Sequence, residues 1–126
     1  MTIEHIHMHL NKGKVLGIQY EPPDARYVGW ISIEKQAYNP KILQLYSNEP
    51  DSYHFKEQKK IEEKPYLARI CEISRTALEG ENHPRSEDYK RNDVYRFHNL
   101  FDIEEFLQPL GYSFSDLKWY SDILHD

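Results

Sequence analysis

With only one cysteine, Cys71, the chain can form neither an internal disulfide nor a cysteine-based zinc cluster. A reducing cytoplasm is the compartment such a composition suits. No apolar run approaches the roughly 18 residues that span a bilayer, so no membrane association is expected. Glycine is scarce, at five residues. There is no glycine-rich phosphate loop, no Gly-x-Ser-x-Gly elbow and no Walker-type Gly-Lys-Ser/Thr. The N-terminus lacks a charged segment followed by an apolar one, which would mark a secretory leader. Apolar residues are few as well, at 39 %, and no tract is repetitive.

Charge and tyrosine are abundant. Charged residues make up 29 % of 126 positions, with 21 acids against 16 bases and a net charge of −5. An acidic chain repels phosphate backbones, which argues against direct nucleic-acid binding, and it suits a basic protein partner. Ten tyrosines stand against five phenylalanines. Tyrosine combines apolar area with a polar end, which suits half-buried sheet faces and interfaces. The length fits one domain covering residues 1–126.

Patterning predicts an α+β fold: a mostly antiparallel sheet of four to five strands with helices packed on one face. Residues 3–10 alternate as a strand, with Asn11-Lys12-Gly13-Lys14 as a hairpin turn and residues 15–21 as the return strand. That register puts Ile6, Met8, Leu10, Leu16, Ile18 and Tyr20 on the core side. Further strands are read at 27–35 and 42–46. A capped surface helix falls within 51–64, and a helix that carries Tyr66, Leu67, Ile70 and Ile73 at helical spacing covers 65–79. Residues 81–93 hold seven charges and a proline and read as a long exposed loop. A strand at 94–100, a helix at 103–108 opened by an Asp102–Glu105 capping box and a last helix capped by Ser115 complete the expectation.

Three chemistries are carried by particular residues. In a strand, His5, His7 and His9 would line one face, with Glu21 across the hairpin. Two histidines and a carboxylate suit a transition metal, so this set is the alternative metal site. The solvated flanks Glu4, Lys12 and Lys14 favour a plain wet strand face, and no metal or cofactor is expected. Second, Tyr89 to His98 interleaves bases with aromatics, as single-stranded RNA sites do; Glu87, Asp88 and Asp93 blunt its field. Third, Cys71 stands within the predicted 65–79 helix, far from a helix N-terminus, and reads as an inert thiol rather than a nucleophile. No pair of carboxylates is isolated among apolar residues, so general acid–base catalysis, and an enzyme generally, is not expected.

Size, net charge, tyrosine and tryptophan content and the charged loop 81–93 together resemble the small immunity proteins of bacterial toxin systems, such as contact-dependent growth inhibition. The resemblance implies a cytoplasmic, non-enzymatic inhibitor that binds one basic toxin domain, such as a nuclease. The acids available for such a partner are Glu81, Glu87, Asp88 and Asp93 on the loop, and Asp116, Asp122 and Asp126 at the tail. Tyr89, Tyr95 and Trp119 are the nearby aromatic anchors.

Overall fold

The computed structural model describes residues 2–80 and 84–119. Its centre is an antiparallel pair of nine-residue strands, β2 (Tyr27–Lys35) and β3 (Tyr66–Ser74), matched residue for residue from Tyr27↔Ser74 to Lys35↔Tyr66. β1 (Leu16–Tyr20) adds to β2, and β4 (Tyr89–Phe97) adds to β3. A two-residue strand, β5 (Lys118–Trp119), closes the far side against Leu16 and Gly17. The order is β4-β3-β2-β1-β5, with every pairing antiparallel. With five α-helices among the described residues, this is the α+β architecture read from the sequence.

The main core lies on one face. Leu16, Ile18, Ile31, Ile33, Ala68 and Ile70 point there, all 5 % exposed or less. Two helices cover it: α1 (Ile3–Asn11) through Ile6 and Leu10, and α5 (Leu100–Leu107) through Ile103 and Leu107. On the opposite face Val28, Trp30 and Ile73 form a smaller buried cluster with Cys71 and Tyr89 against it. β2 and β3 are therefore buried on both sides. Burying a large aliphatic side chain of this kind contributes about 1.5–3 kcal/mol.

α1 overturns the first predicted hairpin. Thr2 caps it by accepting from the His5 N–H at 3.3 Å, and Glu4 sits in the first turn, where the helix dipole favours an acid. Ile3, Ile6 and Leu10 fit helical spacing as well as Ile6, Met8 and Leu10 fit alternation, and the cap decides between them. Gly13 does take a positive φ, at 77°. Its task is to stop the helix: the Gly13 and Lys14 N–H groups return to the Leu10 and His9 carbonyls. Met8, assigned to the core, is 41 % exposed.

The 65–79 helix is instead β3 followed by the short α4 (Arg75–Glu79). A strand covered on both faces presents a near-continuous apolar run, which period-counting mistakes for a helix. The predicted strand at 42–46 is the helix α2 (Pro40–Leu45), set by the Asn39 side chain accepting from the Lys41 N–H at 3.1 Å and by proline at its first position. α3 (Tyr53–Glu63) is the expected capped surface helix, begun by Ser52. β4 starts at Tyr89, inside the predicted loop. α5 begins three residues before the predicted helix, capped by Asn99 rather than by Asp102. Ser115 lies in a 3-10 turn at Phe114–Asp116 that leads into β5, and the rest of the predicted last helix lies outside the described residues. Among the described residues no helix is long and apolar enough to cross a membrane.

Gly29 faces the helix-covered side opposite Tyr20, and a β-carbon there would collide with the Tyr20 ring. Gly29→Ala therefore displaces that ring. A loss of about 1–3 kcal/mol, the range for overpacking a well-filled site, is expected in urea unfolding, and a wild-type midpoint would refute this reading.

Candidate functional site

Helix α1 disperses the proposed metal ligands. Residues two apart on a helix point to nearly opposite sides, so His7 faces away from His5 and His9. The latter two stack loosely one turn apart, with ring centroids 6.5 Å apart, and His9 meets Trp119 edge-on at 4.3 Å. Glu21 follows the end of β1 and does not face a histidine strand, because none exists. Among the described residues no three His, Cys, Asp or Glu side chains stand close enough to hold a metal ion. The thiol of Cys71 lies 3.5 Å from Asn92 Oδ1, and burial pushes its pKa up, away from nucleophilic reactivity.

The acids and aromatics assigned to a partner do not form one surface. Tyr89, Asp93 and Tyr95 lie on β4, while Trp119 lies on β5 at the opposite edge of the sheet. Tyr89 packs on the Trp30 side. Asp93 pairs with Arg91 on the helix side, where Tyr95 packs on Phe106 with centroids 5.1 Å apart. Phe97 packs on the same ring, so these two aromatics of the Tyr89–His98 segment serve the core. Glu87 is exposed in the 3-10 turn Ser86–Asp88, and Asp88 accepts from the Arg85 N–H at 2.7 Å. Asp116 accepts from the Ser113 N–H at 2.9 Å, holding the turn before β5. Glu81, Asp122 and Asp126 lie outside the described residues.

What joins the two edges is a strap. From β4 the chain runs through α5, a 3-10 turn at Gln108–Leu110 and the turn at Phe114–Asp116 to reach β5. Ile103, Leu107, Phe114 and Leu117 anchor it inward, each 9 % exposed or less. Its outer side carries Phe101, 64 % exposed, and Leu110, 41 % exposed, stands at its margin beside Tyr20 and Arg91. Between Phe97 and Leu117 stand four carboxylates, Asp102, Glu104, Glu105 and Asp116, and neither lysine nor arginine. Glu105 is exposed, and Asp102 and Glu104 are half-buried. This single-sign stretch is readable in the sequence as a charge block. The signal lies in the order of charges along the chain rather than in any one acid beside an aromatic.

A second polar feature lies beneath the strap. Glu72 is a buried carboxylate, 8 % exposed. The Tyr20 hydroxyl donates to it at 2.6 Å. Arg91 stands opposite Glu72 in register and hydrogen-bonds Asp93 and the Tyr95 hydroxyl. Tyr20, Arg91, Leu110 and Tyr112 wall a small cavity of about 140 Å³ floored by Ile31 and Ile70. Burial raises the Tyr20 pKa well above the ordinary tyrosine range, and the Glu72 carboxylate adds to that rise. The groups satisfy one another, which fits a structural polar network.

Comparison with protein families, with curated proteins and with solved structures finds no match to the chain.

Tyr20→Phe removes the donor from a buried carboxylate and is expected to cost about 1–3 kcal/mol at neutral pH. Because the folded pKa of Tyr20 is raised, its contribution is complete below the unfolded value of about 10 and is lost as pH rises above it. Urea midpoints from pH 8 to 11 should fall for the wild type, and the Phe variant should lack that part of the fall. Parallel curves would show that the hydroxyl is not coupled to folding.

Proposed function

We propose that the chain is a non-enzymatic binding protein, an inhibitor of the immunity-protein kind, that docks a basic protein partner on the acidic strap. The observation that carries this is the coincidence on residues 97–117 of four carboxylates, no cation and two exposed apolar side chains, Phe101 and Leu110. Clustered carboxylates steer a basic partner in and penalise an acidic one, and a protruding aromatic supplies the apolar anchor that charge alone lacks. The strap is also firmly seated. Asn99 caps α5, accepting from the Asp102 N–H at 2.9 Å, and Ile103 and Leu107 are fully buried, so little order has to be acquired on binding.

A nuclease domain, which must present a basic cleft to its nucleic acid, is the partner chemistry that fits best. The carboxylates would stand where phosphates otherwise bind. A toxin domain of that class, met in a reducing cytoplasm where Cys71 stays a thiol, is the setting this reading implies.

Affinity capture from the native host, followed by calorimetry with the purified captured protein, tests the proposal. One basic protein is expected to bind 1:1 and to weaken as salt rises. The Phe101→Ala variant should lose about tenfold or more in affinity, as a central aromatic anchor does. Asp102→Lys with Glu105→Lys should abolish binding, while both variants keep the wild-type circular dichroism spectrum. A captured partner that is acidic, or one indifferent to both variants, would sink the reading.

A further inference from the structure

Among the described residues β4 has a neighbour, β3, on one side only. Nine residues long, it offers a row of outward backbone N–H and C=O groups of the kind that pairs with another strand. Proteins blunt such edges with bulges and with charges placed to repel. β4 has a register shift opposite Glu72/Ile73, which makes Lys90 the extra residue. Beyond it the charges follow a different logic. Arg91 and Asp93 both point to the helix-covered face, opposite Glu72 and Ile70, with side chains 38 % and 46 % exposed. Asn92 and Val94 point to the other face, and Val94 is 50 % exposed.

We propose that β4 pairs antiparallel with β4 of a second copy of this chain, about a two-fold axis passing through Asn92, so that one sheet runs through both copies. A two-fold axis normal to the sheet sets each residue against the one equally far on the other side of the centre, on the same face. With the centre at Asn92, the Arg91–Asp93 ion pair of one copy faces the same pair of the other copy in reverse, so the four charges alternate around the axis. The two Asn92 amides meet and can exchange donor and acceptor, while Lys90, the bulge residue, stays over the Tyr27 ring and beside Asp24 of its own chain. The neighbouring registers fail. A centre at Arg91 sets that arginine against itself. A centre at Asp93 sets aspartate against aspartate and Lys90 against Arg96. A centre at Val94 brings no opposite charges together. Opposite charges across strands favour a pairing and like charges oppose it, so one register stands out. The bulge at Lys90 keeps the new ladder short, which makes the dimer weak and concentration-dependent rather than obligate.

Cysteine scanning tests the register. Cys71 must first be replaced, as Cys71→Ala, because its sulfur lies close enough to Asn92 to trap a neighbouring thiol. In that background Asn92→Cys faces itself across the axis, at a Cα separation of about 4.5–5.5 Å that a disulfide can bridge. Mild oxidation should give a covalent dimer on a non-reducing gel. Val94→Cys, off the axis, should stay monomeric. Sedimentation equilibrium of the unaltered protein provides a readout independent of those variants. A reversible dimer is expected, weakened about tenfold or more by Asp93→Arg, since like charges then face across the axis. Val94→Cys cross-linking as well as Asn92→Cys would overturn the register. A monomer at every concentration, or a dimer indifferent to Asp93→Arg, would overturn self-pairing. Cross-linking of the Asn92→Cys chain to a different protein in host extract would assign the edge to that protein instead.

Discussion

The pairing of β2 with β3 is the constraint on which the other elements depend. It is nine residues long on each side and has no irregularity. Each of its faces buries side chains: Ile31, Ile33, Ala68 and Ile70 on one, and Val28, Trp30 and Ile73 on the other. β1 and β4 take their register from it. α1 and α5 in turn find on it the floor for Ile6, Leu10, Ile103 and Leu107. The polar network follows from the same register: Gly29 lies between Tyr20 on one side and Glu72 on the other, so the ring can lie over the glycine and reach the carboxylate. A side chain at position 29 would break a link between three strands.

Legibility in the sequence tracks how one-sided each element is. β2 was read to the residue from Tyr27 to Lys35, and β1 and α3 nearly so, because turn residues or a cap mark their ends. The α+β class survived because it needs only the balance of elements. β3 was lost because burial on both faces erases the period that separates strand from helix. α1 was lost because the apolar residues among positions 3–10 satisfy both periods, and the deciding Thr2 cap lies one residue before them. In both cases the missing information belonged to the neighbours of the segment rather than to the segment.

The candidate sites divide along the same line. The histidine set rested wholly on a strand assignment, so it dissolved when the segment proved helical. The acids and aromatics proposed for a partner were grouped by sequence distance, and the fold sends Tyr89, Asp93 and Tyr95 to one edge and Trp119 to the other. The acidic strap depends on no secondary-structure assignment, since a block without lysine or arginine between Phe97 and Leu117 is a property of composition. Its exposure, and the outward placement of Phe101, required the packing of Ile103 and Leu107 to be known.

The two-residue β5 has a consequence for how the molecule comes together. It joins Leu16 and Gly17, near the start of the chain, to Lys118 and Trp119, near the last described residues. Closing so large a loop is entropically slow and comes after local pairings have formed. During synthesis β1, β2 and β3 emerge first, with the floor of the main core lacking α5 and the strap. Leu16, Ile18, Ile31 and Ile70 then have only α1 as cover until α5 and the strap arrive to complete the seal. The strap is thus a lid laid last and latched at β5. A chain stopped short of Trp119 would leave an apolar sheet face without its latch, so truncation there is an aggregation hazard.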